Sequence, residues 1–259
     1  MIKSREFDAV GANIRGIPRM KVEHVRADLK TLKNRGDIIV TQEFGLDYYW
    51  AQFERVYMKS IERTWASSPN HRRAFGNPIE GAQAVFWKTE LFKRIDVNKA
   101  PSFDFDISTA GIMNNRWLRA GLLEERESGL RGHFGTTHFV VGGDRGSDSP
   151  QRKRLMSSNI EHLDDFLNRL RHTGDPIWFQ LDANIARDSS TYPQFKAMLN
   201  KHKAKVHGVP GIEYCFTIDS HTDTKMVVRK EYVIRTRKVG GPLFTDHEAR
   251  GTRMYLVRK

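Results

Sequence analysis

Cysteine is almost missing from this chain: Cys215 is the single one in 259 residues. That excludes an intrachain disulfide and a cysteine-rich zinc site, and it accords with a reducing compartment. Long apolar runs are missing as well, since no stretch approaches the roughly 20 residues that a membrane-spanning helix needs. The opening MIKSREFDAVGAN sets charges where a secretory signal needs its apolar segment. A soluble, intracellular protein without a membrane partner is the expectation. No internal repeat, low-complexity tract or domain linker interrupts the chain. With 39% apolar residues there is enough for a sizeable core, so one domain spanning 1–259 is expected.

What is present in excess is positive charge. Lys and Arg total 43 against 31 Asp and Glu, a formal charge of +12. Such a surface suits a polyanionic partner, and nucleic acid stands ahead of a membrane because no basic amphipathic tail is present. The plainer reading is that the charge only keeps the protein soluble.

Apolar runs of strand length alternate with a few helical patterns. FDAVGANI reads as a strand, and Val22, Val25, Leu29 and Leu32 then share one helical face. GDIIVTQE is a buried strand opened by a turn signal. A second helix is predicted by Met156, Ile160, Leu163, Leu167 and Leu170, with SDSP setting its start and Pro150 suited to the first turn. Further strands are predicted in AQAVFWK, WLRAGLLEE, FGTTHFVV, PIWFQLDAN, EYCFTID, KMVVRKEYVIR and RMYLV. Many strands and few helices in mixed order predict an α/β (α+β) fold: two packed mixed β-sheets flanked by helices, a four-layer sandwich. The loops at 66–80 and 98–115 are long enough to carry function.

Six of these runs place a polar group at or near their end: Asn13, Glu43, His138, Asp182 with Asn184, Asp219, and Asp246 with His247. Strand ends are rigid and loops start there, so distant parts of a chain converge on one rim. Each residue alone has an ordinary reading. Asn13 and Asn184 suit turns, Asp182 and Asp219 suit caps, and His138 suits a satisfied core position. Together they read as a divided active site.

The order of these motifs resembles that of the endonuclease/exonuclease/phosphatase superfamily, which shares the deoxyribonuclease I-like fold. ANIRG resembles the first strand motif, DIIVTQEF the metal-binding glutamate motif, TTHF the central histidine motif and LDAN the Asp-x-Asn motif. TID resembles the late aspartate and TDH the closing pair, so the likeness runs from Asn13 to His247. Where the family has Gly-Asp-Phe-Asn, this chain has Leu181, Asp182, Ala183 and Asn184, which keeps the polar pair and changes the turn around it. Arg15, two places after Asn13, is similar to the deoxyribonuclease I branch, in which an arginine there contacts a phosphate.

The chemistry fits on its own terms. Hydrolysing a phosphodiester means bringing water to an anionic phosphorus and stabilising charge on the leaving oxygen. Glu43 is the leading ligand for a hard cation, with Asp246 sharing it. Magnesium suits such a sparse carboxylate set, and manganese would serve. His247, with Asp219 as its orienting carboxylate, would hold or protonate a phosphate oxygen. Asp182 is the candidate general base, Asn184 and Asn13 would position phosphate and base, and His138 would act as an acid or transition-state donor, with Glu80 to orient it.

For the substrate, charge favours DNA, and His71, Arg72 and Arg73 sit on a loop suited to following a phosphate backbone. Arg152, Lys153 and Arg154 read as solvated charges at a helix start. Tyr48, Tyr49 and Trp50 suit base stacking or packing. A magnesium-dependent endonuclease is the leading expectation. The alternatives are a phosphatase or phosphodiesterase for a phosphoinositide or a DNA-end lesion, and a binding module without catalysis, against which the full set of acids and histidines speaks.

Overall fold

The computed structural model describes residues 1–13, 31–42, 65–67, 83–95, 105–106, 117–139, 149–208, 211–234 and 249–259. Among them, strands β1 (Ile2–Lys3), β2 (Phe7–Asn13), β3 (Ile38–Gln42), β4 (Trp65–Ser67), β5 (Ala84–Lys88), β6 (Phe92–Arg94), β7 (Phe105–Asp106), β8 (Trp117–Glu125) and β9 (Arg131–His138) lead to helix α1 (Pro150–Arg171). Then come β10 (Ile177–Asp182), helix α2 (Tyr192–Lys201), β11 (Lys205–His207), β12 (Glu213–Ile218), β13 (Thr224–Ile234) and β14 (Ala249–Arg258).

These strands form two mixed sheets. The first runs β1-β14-β2-β3-β5-β4, with β13 also paired to β14; the second runs β11-β12-β10-β9-β8-β6, with β7 against β8. The pairs β2/β3 and β9/β10 are parallel and all others are antiparallel. Parallel neighbours need a crossover, and α1 supplies it between β9 and β10. Its start is the one the sequence predicts: Ser149 Oγ accepts from Arg152 N at 3.3 Å, and Pro150 occupies the first turn. The predicted stripe from Met156 to Leu170 is buried, joined by Phe166 and Asn159.

Side-chain alternation sorts the cores. Along β10, Ile177, Phe179 and Leu181 face α1 in one cluster, while Trp178 belongs to the cluster between the sheets with Phe7, Val40, Phe134 and Met254. Cys215 lies in that second cluster, 3% exposed, with its thiol pushed up to about 12 by burial. Two packed sheets with helices are therefore present, as the pattern predicts. The elements the sequence did not predict are short: α2 has 10 residues, and β1, β4, β6, β7 and β11 have two or three each. Periodicity needs more residues than that to register. Of the helix predicted around Val22 to Leu32, only its end at 31–33 is described, with Leu32 buried. No described helix is long and apolar enough to cross a membrane.

Candidate active site

Strand register carries the inter-sheet face from apolar to polar in steps. Phe134 pairs with Trp178, Thr136 with Gln180, and His138 with Asp182. On the facing sheet, Ala9 pairs with Ile38, Gly11 with Val40 and Asn13 with Gln42. Every second residue faces inward, so the polar ends of four strands meet in one layer at the rim. Gly11 is what lets the sheets close beneath that layer, because a Cβ there would overlap the side-chain amide of Gln180.

The layer is buried and tightly bonded. Asn13 Nδ2 donates to Asp182 Oδ2 at 3.0 Å, and the backbone N–H of Asn184 donates to Oδ1 at 3.1 Å. Asn184 Nδ2 reaches Phe139 O at 3.2 Å and His138 Nε2 at 3.0 Å. The Phe139 carbonyl fixes the orientation of the Asn184 amide, and with it the amide nitrogen beside His138 Nε2. Asp182 Oδ2 stands 3.5 Å from His138 Nε2. Gln42 Nε2 donates to Thr136 Oγ1 at 2.5 Å and ties the sheets together. Asn13, His138 and Asp182 are no more than 3% exposed, and their hydrogen bonds offset the cost of that burial. The altered neighbours of the Asp-x-Asn motif do not prevent the turn: Asn184 adopts φ 51°, a left-handed conformation that asparagine tolerates.

Four predicted residues thus come together: Asn13, His138, Asp182 and Asn184. Asp219 does not join them. β12 is antiparallel to β10, so Ile218 lies against Ile177 and Glu213 against Asp182. Asp219, following Ile218 and six residues from Glu213, stands about 20 Å along the sheet from the Asp182 level, at about 3.3 Å per residue. There it accepts from Lys205 Nζ at 2.7 Å. The carboxylate that β12 brings to the rim is Glu213, 8% exposed, with Oε2 at 3.9 Å from Arg250 Nε. Sequence reading missed it, together with Gln42. Glu43, Asp246, His247, Arg15, Arg72 and Arg73 lie outside the described residues, as do Glu80, His71, Tyr48, Tyr49 and Trp50. Arg152 and Arg154 are exposed and Lys153 half-buried at the start of α1.

The two-sheet architecture recurs in solved structures. An endonuclease/exonuclease/phosphatase family protein from Bacteroides thetaiotaomicron superposes with a TM-score of 0.66, covering 98% of this chain and 96% of that one at 12% identity. The fold is that of this endonuclease/exonuclease/phosphatase family protein. A mannosyl-6-phosphatase from the same bacterium superposes with a TM-score of 0.67 over 96% of this chain and 99% of that one, at 14% identity. So does D. rerio TDP2 complexed with a single-strand DNA product, at 0.65 over 96% and 98% with 13% identity. No protein-family profile matches the sequence, and no curated protein matches it either. The superfamily likeness is therefore one of backbone shape.

Proposed function

We propose that the protein is a magnesium-dependent phosphodiesterase, a nuclease that cuts DNA as an endonuclease. The observation that carries this reading is the polar layer, in which Asp182 is held by Asn13 and Asn184 beside a buried imidazole where strands of both sheets end. Asp182 takes the proton of the attacking water, and its two donors set the direction of the free lone pairs. His138, beside Asn184 and Asp182, acts as an acid or transition-state donor. His247 holds or protonates a phosphate oxygen, and Glu213, rather than Asp219, is the carboxylate at the rim that would orient it. Arg15, Arg72 and Arg73 contact phosphates.

The rim donors described are carboxylate and amide oxygens, which suit a hard cation. Glu43 and Asp246 would hold magnesium, with manganese able to replace it, and the ion would supply positive charge to the phosphate and the leaving oxygen. Nucleic acid is supported as substrate by the +12 charge and, by analogy of fold, by the single-strand DNA product in the TDP2 structure. The mannosyl-6-phosphatase of the same fold supports the alternative, a phosphatase or phosphodiesterase for another phosphoester such as a phosphoinositide or a DNA-end lesion.

A substrate panel tests this: supercoiled plasmid, single-stranded DNA, RNA and phosphoinositides, each with magnesium and with a chelator. Nicking of plasmid in magnesium is expected, with loss in chelator and in Glu43→Gln. Phosphate release from phosphoinositides without nicking would move the assignment to the alternative, and full turnover in chelator would remove the metal.

A further inference from the structure

The outer face of the first sheet carries a charge arrangement that the rim chemistry does not use. In the β13/β14 pair, Met226 and Val228 lie against Leu256 and Met254, and Glu231 lies against Thr252, with a register shift between Val228 and Lys230. Met254 and Leu256 belong to the inter-sheet core, so their neighbour Arg253 points outward, where its Nη2 meets Asp8 at 3.0 Å. The extra residue of a β-bulge sets two side chains against one partner. Here it puts Arg229 and Lys230 together against Arg253, and two consecutive residues that would otherwise alternate share the outer face.

Two further cations join them. Lys225 and Lys3 both pair with Val257, from opposite sides of β14. Tyr255 sits amid the group, with Lys3 Nζ 4.0 Å and the Arg229 guanidinium carbon 5.1 Å from its ring centroid. All five cations are exposed. Among the described residues only Arg229, to Glu6 at 3.6 Å, and Arg253 have carboxylate partners, which leaves Lys3, Lys225 and Lys230 without one.

We propose that this face is a second nucleic-acid surface, holding the phosphate backbone of a strand away from the rim at which the strand is cut. The cutting rests on the nuclease reading above; the binding does not. Cations carried on strands about 4.8 Å apart form a row, which matches a line of charge better than a single anion. A tyrosine among them offers a flat ring beside which a base can stack. A lipid surface would call for apolar side chains projecting between the cations, whereas the outward neighbours Val227 and Val257 are half-buried.

The test uses the full chain in chelator, which prevents cutting, and follows the anisotropy of a fluorescein-labelled 20-nucleotide single strand as salt is raised. Lys225→Ala, Arg229→Ala and Lys230→Ala combined should weaken binding tenfold or more at moderate salt. They should also lower the slope of log affinity against log salt by roughly 2, at about 0.7 per phosphate contact. Tyr255→Leu should weaken binding by fivefold or more with little change in slope. Lys230→Glu alone, at one exposed side chain, should move affinity the same way while the protein melts as wild type. Unchanged affinity and slope in the triple variant would overturn the proposal, as would a loss confined to phosphatidylserine vesicles. Patch-dependent binding by a protein that nicks nothing would retain this surface and reject the nuclease; nicking with unchanged binding in the triple variant would do the reverse.

Discussion

Asp182 accepts from Asn13 Nδ2 at one oxygen and from the backbone N–H of Asn184 at the other, and both bonds survive only while the acceptor carries two oxygens. Asp182→Asn should therefore lower plasmid nicking by about 100-fold or more, the usual scale for a lost general base. Its thermal stability should fall by only about 1 kcal/mol, because one oxygen acceptor remains. A variant that nicks normally would demote the residue to a scaffold. His133 makes a different prediction. It is buried, and burial, aided by the charge of Arg131, lowers it to about 3. Thr173 donates its hydroxyl proton to Leu170 O, so His133 Nε2 donates to Thr173 Oγ1 at 2.7 Å and the ring is neutral. Between pH 6.5 and about 3 the unfolded chain binds a proton here that the native protein does not. Stability is complete above 6.5 and falls as pH drops, by up to about 1.4 kcal/mol per unit for this one group. Urea unfolding of His133→Gln between pH 7 and 4 should show a flatter decline than wild type. His202 and His207 are lowered as well, both chiefly by burial, and add to the same trend.

At the level of the strand, direction decides which residue reaches the rim. β9 and β10 run parallel, so the polar residues at their C-terminal ends, His138 and Asp182, meet. β12 runs the other way and presents its first residue, Glu213. A search for polar groups at the ends of apolar runs finds the first two and selects Asp219 in the third, because an isolated run does not reveal its direction. The same limit explains Gln42, whose amide bridges the sheets to Thr136: nothing in IIVTQ distinguishes a bridge from a surface residue. By contrast, the long periodic elements and the Asn13, Asp182 and Asn184 set were legible because each carries its own spacing. Glu213→Gln should cost at least tenfold in turnover, and Asp219→Asn should leave it within twofold while loosening only the Lys205 contact. Equal losses in both would contradict the separation that the register imposes.

Taken whole, the molecule carries a charge of +12, and binding to a polyanion must release counterions. Affinity for DNA should fall steeply and linearly on a log–log plot against salt. Arg72→Ala with Arg73→Ala should lower that slope by roughly 1.4 to 1.8, the range for two phosphate contacts. An unchanged slope would return this loop to ordinary solvated surface.

Cys215 lies sealed between the sheets, with Thr252 Oγ1 3.5 Å from its sulfur. A thiol so hard to ionise resists maleimides and other alkylating reagents while the protein stays folded. A reporter cysteine introduced at an exposed position such as Lys230 would accept a spin label or fluorophore with the native residue left in place. Conversely, modification of Cys215 in the unaltered chain would clock the opening of the sandwich, since the reagent reaches it only when the two sheets part.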